Sequence, residues 1–234
     1  MYNRYIYSFI QKSIEFHYQN VKGMKVLMFH QVNDNIRQWV DAGISITEKS
    51  FYKLIDDSIE KGYRILSFDQ VDTENLNNTI VLTFDDIFSD TVEKVVPYLI
   101  KKSIPFTVFV CPDLIGKKKY ITHQQLVALL KCEFCTIGFH ANKHKIMRTL
   151  NHDEIDQLLN CDLFSKATGK QIDYFAFPFG SLYAVNRYAK CVALKKYKIV
   201  CSTFNYECTK QMFENSGMMI PRINVNEENC TEIL

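Results

Sequence analysis

Two carboxylates and two histidines of this sequence follow apolar segments in a pattern that could hold one metal ion. Asp85 and Asp86 directly follow the run TIVLTF, and His140 follows the run FCTIGF, with His144 four residues further on. The i, i+4 spacing places both imidazoles on the same face of a helical turn, and two histidines with one carboxylate leave positions open for water and substrate. Adjacent carboxylates at a strand end point to different sides, so one can bind the metal while the other acts as a general base. The pattern indicates a metal-dependent hydrolase.

Short apolar segments alternate with longer amphipathic ones along the chain. Segments rich in β-branched and aromatic residues predict strands, and apolar residues at helical spacing predict helices. The predicted strands are 24–29, 65–66, 79–84, 105–110, 134–139, 172–177 and 199–203, with a last extended piece at 218–225. The predicted helices are 47–62, 89–102, 122–131, 151–167 and 183–196. Repeated alternation of this kind indicates an α/β fold with a parallel sheet, either closed as a barrel or open and doubly wound.

Polar residues collect at the carboxyl ends of the predicted strands, where function gathers in such folds. His30 follows the first strand, Asp85 and Asp86 follow the third, His140 follows the fifth, and Phe179 follows the sixth. We therefore expect these residues to meet at one rim of the fold.

The composition excludes several classes of protein. The 234 residues are 47% hydrophobic and 23% charged, which excludes a disordered or fibrous chain. A balance of 28 Lys and Arg against 26 Asp and Glu gives a net charge of +2, so no nucleic-acid partner is predicted. Eight cysteines without a recognisable signal peptide favour free thiols in a reducing compartment. We therefore expect a cytoplasmic protein.

The first segment of the chain, from Arg4 to Tyr18, carries apolar residues at roughly helical spacing. Two interpretations stay open: a helix packed on the rest of the fold, and a helix that lies on the inner face of the membrane. The predicted division is an N-terminal helical extension at 1–23 and one α/β domain at 24–234.

Three motifs in this sequence resemble those of the polysaccharide deacetylases, the NodB-homology or carbohydrate esterase 4 family. They are Thr83-Phe84-Asp85-Asp86, the segment from His140 to His144, and Phe175-Ala176-Phe177-Pro178-Phe179-Gly180. The motifs stand in the family order, and the resemblance runs from about Val26 to Val225. The opening segment KVLMFH is similar to that of the poly-N-acetylglucosamine deacetylase branch. The resemblance implies a distorted (β/α) barrel with about seven parallel strands.

The resemblance also implies a reaction and a set of roles. Asp86, His140 and His144 would bind a divalent cation, usually zinc and sometimes cobalt or nickel. Asp85 would deprotonate the metal-bound water that attacks the acetamide of an N-acetylated sugar, and the backbone N–H of Phe179 would stabilise the oxyanion. Since no export signal is recognised, the expected substrate is a glycan-assembly intermediate: a nucleotide sugar, a lipid-linked saccharide or an oligosaccharide. A lipid-linked substrate would suit a membrane contact through residues 4–18.

The sequence departs from the family pattern at each motif. Ile87 stands where the family usually has glycine, and Ala141 stands where it usually has Ser or Thr. Ala176 takes the place of an arginine that orients the base. Arg222 is a candidate replacement that would reach Asp85 from another strand; the alternative is a surface salt bridge.

The family's late Leu-x-His motif, which supplies the general acid, is absent, because no histidine follows His152. The acid could then be the protonated Asp85, His30 or a water molecule. His30 is expected near the site, against the alternative of a strand-end histidine with satisfied hydrogen bonds.

Two other functions stay open. A family relative could hydrolyse another amide, such as a cyclic ureide or imide. A glycan-binding pseudoenzyme would have lost the acid and the base-orienting group. The sequence leaves the sugar, the metal and the oligomeric state open.

Overall fold

Strands and helices alternate along residues 4–234, which are the residues that a computed structural model of the chain describes. The ten strands of this range are β1 (Lys25–Phe29), β2 (Gln31–Val32), β3 (Ser45–Ile46), β4 (Arg64–Ile65), β5 (Thr79–Asp85), β6 (Phe106–Val110), β7 (Cys135–Phe139), β8 (Tyr174–Ala176), β9 (Ile199–Cys201) and β10 (Ile223–Asn224). Its α-helices are α1 (Arg4–Tyr18), α2 (Glu48–Glu60), α3 (Ser89–Lys101), α4 (His123–Lys131), α5 (His152–Leu159), α6 (Asp162–Thr168), α7 (Arg187–Lys196) and α8 (Lys210–Glu214). The first three residues of the predicted extension lie outside the described residues.

The main sheet is parallel and has the strand order β10-β1-β5-β6-β7-β8-β9, with β4 also paired to β5. It curls into a half-barrel. Its two end strands approach each other through the segment before β10, where Ile220 forms a parallel bridge with Cys201 and accepts from Ser202 N at 2.9 Å. The predicted distorted (β/α) barrel with about seven parallel strands is confirmed.

The central strand β5 shows why the apolar runs form this sheet. All seven of its residues are buried, as expected for a parallel strand covered on both faces. The rings of Phe84 on β5, Phe29 on β1 and Phe51 on α2 pack together, with centroids 5.3 Å apart for Phe29 and Phe84 and 5.0 Å apart for Phe29 and Phe51. This aromatic packing fixes β1 and β5, the two strands that carry His30 and the aspartate pair.

Two predicted helices have different bounds in the structure. The helix predicted at 151–167 is two helices, α5 and α6, because Asn160 is extended (φ −81, ψ 110) and its side chain accepts from Asp162 N at 2.8 Å. Such side-chain bonding to the backbone competes with the helix. The helix predicted to begin at 183 begins at Arg187, where the Asn186 side chain caps it. The short elements β2, β3 and α8 were not predicted.

Helix α1 lies against the barrel through polar and aromatic side chains. Gln11 Oε1 accepts from Leu182 N at 3.0 Å, Glu15 Oε1 accepts from Asn205 N at 3.1 Å, and Tyr18 stacks on Tyr206 at 4.9 Å. No residue of α1 is buried. Five of its apolar residues face away from the barrel: Tyr5 is 85%, Phe9 74% and Phe16 71% exposed, and Ile6 and Ile10 are also exposed.

Candidate metal centre and catalytic site

The rim at the strand ends is built on backbone turns of unusual conformation. Asp86 (φ 59), Ile87 (φ 51), Ala141 (φ 61) and Phe179 (φ 61) all adopt left-handed φ values without being glycine. Each such residue costs on the order of 1–3 kcal/mol and persists only where its surroundings impose it. At these turns the chain changes direction sharply after β5, β7 and β8. The polar side chains of the rim therefore stay at the ends of these strands.

Ile87 shows how the chain tolerates the loss of the family glycine. Its N–H donates to Asp85 O at 2.6 Å, which closes a tight turn, and its side chain is 1% exposed. Ile87 thus takes the left-handed conformation that glycine adopts freely, and burial of its apolar side chain offsets the strain.

The side chains of Asp86, His140 and His144 converge at this rim. Asp86 Oδ1 lies 3.6 Å from His140 Nε2 and 3.4 Å from His144 Nε2, and the ligand atoms of all three lie within 4.8 Å of one another. Two ligands about 2.1 Å from one tetrahedral zinc ion lie about 3.4 Å apart. The spacing of the three donors therefore fits one cation.

Two hydrogen-bonding facts support the same fit. Asp86 Oδ1 is buried and has no hydrogen-bond partner in the described residues. His140 Nδ1 lies 2.8 Å from Ala176 O, and because a carbonyl oxygen only accepts, Nδ1 carries the proton. Nε2 then presents a lone pair toward Asp86, which is the arrangement of a metal-binding histidine held by a backbone carbonyl.

Burial controls the charge of these three groups. It lowers the pKa of His140 to about 3 and lowers that of His144, so both imidazoles are neutral and able to bind a metal. Burial, together with the charge of Asp85, raises the pKa of Asp86 to about 7. A bound cation would favour the ionised carboxylate, so the cluster has the composition of a metal site.

Asp85 is held by Arg222. The guanidinium donates from Nη1 to Asp85 Oδ1 and from Nη2 to Asp85 Oδ2, both at 2.7 Å. It also donates from Nε to Ser202 O at 3.0 Å and from Nη1 to Thr83 Oγ1 at 3.3 Å. The Arg222 and Asp85 side chains are 0% and 2% exposed, so the pair is buried and not a surface salt bridge.

This ion pair keeps Asp85 ionised. Burial alone would raise the pKa of Asp85, but the charge and hydrogen bonds of Arg222 outweigh it and hold the pKa well below its usual range. The bidentate contact also fixes the plane of the carboxylate. Arg222 therefore orients Asp85, which the short side chain of Ala176 cannot do. The backbone carbonyl of Ala176 instead accepts a hydrogen bond from His140.

His30 lies at the same rim with an unsatisfied ring nitrogen. Its Nδ1 is buried and has no hydrogen-bond partner in the described part of the chain. Burial lowers its pKa to about 4, against the opposing charge of Asp85. The imidazole is therefore neutral and next to the charged pair of Asp85 and Arg222.

Phe179 presents a free backbone donor and an exposed ring. Among the described residues its N–H has no acceptor, while its carbonyl accepts from Thr203 Oγ1 at 3.0 Å. Its ring is 50% exposed and lies edge-on to His144, with centroids 4.4 Å apart. Gly180 lets the segment after β9 approach, since a Cβ there would lie 2.7 Å from Thr203 Cγ2. A carbonyl oxygen bound beside His144 could reach this N–H.

The structure shows hydrogen-bond partners of Arg222 that the sequence motifs did not indicate. Thr83 Oγ1 donates to Leu27 O at 2.8 Å while it accepts from Arg222, and Ser202 O accepts from the same guanidinium. Thr83 was visible as part of the first motif, but no local pattern marks Ser202. The structure also places α1 beside Phe179, with a cleft of about 460 Å³ between them. Nothing in the spacing of residues 4–15 indicates that cleft.

A profile of the polysaccharide deacetylase family matches residues 72–202, more than half of the chain. The chain belongs to this family, whose members are hydrolases that act on N-acetyl groups of sugars. The predicted family and enzyme class are thereby confirmed. No curated protein sequence matches the chain.

Several solved structures share the fold. A polysaccharide deacetylase from Bacillus cereus has a TM-score of 0.76 at 18% identity, over 90% of this chain and 68% of that chain. The Streptococcus pyogenes deacetylase PplD, solved in complex with acetate, has a TM-score of 0.76 at 19% identity, over 91% and 98%. IcaB from Ammonifex degensii has a TM-score of 0.73 at 17% identity, over 92% and 97%. At these identities the likeness concerns the fold.

Proposed function

We propose that this chain is a metal-dependent N-deacetylase that hydrolyses the acetamide of an N-acetylated sugar. The observation that carries the proposal is the pairing of two unlike aspartates at one strand end. Asp86 has a buried oxygen without a partner beside two neutral histidines, and Asp85 is ionised and fixed by Arg222. A ligand carboxylate and a base carboxylate side by side are what hydrolysis of a stable amide requires.

Asp86, His140 and His144 would hold the cation, which we propose is zinc, with cobalt or nickel as alternatives. A divalent cation bound there supplies activation of water at neutral pH and polarisation of the acetamide carbonyl. Ala176 keeps His140 in the tautomer that leaves Nε2 free.

Asp85 would accept the proton that the attacking water gives up. Arg222 occupies one direction at each carboxylate oxygen, and an ionised carboxylate has about four acceptor directions, so others stay available. The same guanidinium lowers the basicity of Asp85, which means that the carboxylate accepts a proton only from a donor that is itself acidic. Among the described residues the N–H of Phe179 has no acceptor. It would bind the oxyanion that forms on the carbonyl oxygen of the acetyl group.

The leaving amine needs a proton, and two groups at the rim can supply it. Asp85 can return the proton that it has accepted. His30 is neutral and stands beside the pair of Asp85 and Arg222; its unpartnered Nδ1 is available for a hydrogen bond to the substrate or to a water molecule.

The test is acetate release by zinc-loaded protein from N-acetylated nucleotide sugars and chitooligosaccharides. We expect release by the wild type and a loss of about 10²- to 10⁴-fold in Asp85→Asn. Asp113→Asn is the matched control: it also follows a strand of the sheet, but its carboxylate pairs with Lys117 at 2.8 Å. We expect it to keep both activity and metal.

Metal content separates the outcomes. Asp86→Ala should lose stoichiometric zinc; if it retains a full equivalent, the proposed centre is wrong. Turnover of small cyclic amides with none on N-acetyl sugars would indicate another amide substrate. Glycan binding without acetate release from a zinc-loaded protein would indicate a binding protein.

The membrane contact predicted for residues 4–18 stays a prediction, as does a cytoplasmic location. In the described residues no helix is long and apolar enough to span a bilayer. The outward face of α1 carries the exposed apolar residues that a surface contact would use. Flotation of the protein with phospholipid vesicles measures that contact directly.

A further inference from the structure

The cleft between α1 and the turn after β8 lies next to the candidate metal centre. Its volume of about 460 Å³ lies in the range of small-molecule sites. The ring of Phe179 lines the cleft and also contacts His144, one of the proposed metal ligands. A sugar whose acetamide lies at the metal centre would therefore have its next substituent beside Phe179 and α1.

The α1 side of the cleft is a single stripe. Residues 4, 8, 11, 12 and 15 line the cleft, and this spacing places them on one face of the helix. The stripe is about 16 Å long at 1.5 Å per residue. The opposite wall contributes Tyr183, an aromatic surface on which a sugar ring can stack.

Two cations in this stripe lack anionic partners. Arg4 and Lys12 form no ion pair in the described residues; Arg4 only places its Cζ 6.0 Å from the Tyr183 ring centroid. Glu15 is the acidic residue of the lining, and its Oε1 already accepts from Gln11 Nε2 at 2.9 Å and from Asn205 N. Asp85, one of the two aspartates at the rim, is paired with Arg222. Arg4 and Lys12 outnumber the single carboxylate of Glu15, so the lining of the cleft carries a formal net charge of +1.

We infer that this cleft binds a negatively charged substituent of the N-acetylated sugar, a phosphate or a carboxylate, through Arg4 and Lys12. The inference rests on the proposed function and narrows its substrate class. A guanidinium fork and a mobile ammonium are the groups that recognise phosphate and carboxylate. A neutral glycan would gain the aromatic surface of Phe179 and Tyr183 but nothing from the two cations.

The α1 side of the cleft lies outside the part of the chain that the family profile matches. The profile matches residues 72–202, and α1 lies outside that range. The three proposed metal ligands thus lie inside the matched range, whereas Arg4 and Lys12 lie outside it.

The test is calorimetric binding to metal-free protein, in which no turnover occurs. The probes are N-acetylglucosamine, its 1-phosphate, UDP-N-acetylglucosamine, N-acetylmuramic acid as the carboxylate, and neutral tri-N-acetylchitotriose. We expect at least one anionic probe to bind about tenfold more tightly than N-acetylglucosamine, with the gain falling at high salt. Which anionic probe binds best distinguishes a sugar phosphate, a diphosphate and a sugar acid.

The variants assign that gain to the cleft. Arg4→Gln and Lys12→Gln should each remove about three- to tenfold of it, and Lys12→Arg should keep most of it. Lys131→Gln is the control, since Lys131 is an exposed lysine at the end of α4, four residues before the amino end of β7 and so away from the rim at the carboxyl ends of the strands. Equal binding of charged and neutral probes, or a gain that both cleft variants retain, would overturn the inference.

Acetate release separates this inference from the function on which it rests. If acetate is released from neutral oligosaccharides and Lys12→Gln does not change the rate, the deacetylase function is supported and the anionic substrate is rejected. If anion binding depends on Arg4 and Lys12 but zinc-loaded protein releases acetate from no probe, the anion site is supported and the deacetylase function is rejected.

Discussion

The strand-end site and helix α1 both lie next to Phe179, yet they are held in place in different ways. Arg222 is 0% exposed and makes four hydrogen bonds that fix Asp85. No residue of α1 is buried, and Gln11 makes its contacts with the barrel in partly exposed positions. The reaction requires fixed groups, which burial provides, whereas binding of a substrate substituent tolerates a wall of exposed side chains. The comparison predicts that changes at the rim act on the whole fold and changes on α1 act locally.

Arg222→Met should have the largest effect. It leaves the buried Asp85 carboxylate without its cation, and loss of one partner of a buried pair costs about 3–5 kcal/mol. Urea unfolding measures the free energy of unfolding. Arg187→Met is the matched control, because Arg187 is exposed at the start of α7, and it should change stability by no more than about 0.5 kcal/mol. Equal stability of the two variants would show that the pair does not hold the rim.

Ile87→Gly should destabilise the protein although glycine is the usual family residue. Relief of the left-handed φ of 51° gains about 1–3 kcal/mol, but loss of a buried isoleucine side chain costs at least about 2–5 kcal/mol. The net expectation is a loss of about 1–3 kcal/mol in the same assay. Ser103→Gly separates the two contributions, because Ser103 is exposed at φ 55 after α3. It should be neutral or stabilising, and a stabilising Ile87→Gly would mean that strain outweighs packing.

Gln11→Ala should have the smallest and most local effect. It removes the acceptor of Leu182 N and a donor to Thr203 O, worth about 1 kcal/mol. We expect roughly fivefold faster amide exchange within α1 and unchanged exchange in β5. Ser13→Ala is the control, since the Ser13 hydroxyl donates only to Phe9 O within α1. Faster exchange throughout the sheet would contradict the contrast between the two regions.

The rim was predictable from sequence because its signals are local. The run TIVLTF predicts a buried strand from its β-branched and aromatic residues, and the aspartate pair follows directly. Arg222 was recognisable as a candidate only because Ala176 left the base without an orienting arginine. Its bidentate geometry required the structure.

The remaining features depend on contacts between distant residues. Gln11 and Leu182 are 171 positions apart, so no local pattern reveals that α1 forms a wall beside Phe179. The amphipathic spacing of α1 predicts a helix but does not say which side contacts the barrel. In the structure that side carries Gln11, Glu15 and Tyr18. The break at Asn160 is a competition between side-chain and backbone hydrogen bonds that periodicity does not register.

The pairing of Asp85 with Arg222 also constrains the order in which the protein can mature. The two residues are 137 positions apart, which at about 5–20 residues per second means roughly 7–27 s of synthesis between them. Through that interval β5 emerges with a carboxylate whose cationic partner has not yet been made. A nascent chain halted before residue 222 would carry all three proposed metal-binding side chains but not the group that neutralises their neighbour. The sheet closes, and Asp85 gains its cationic partner, only after residue 222 has been made.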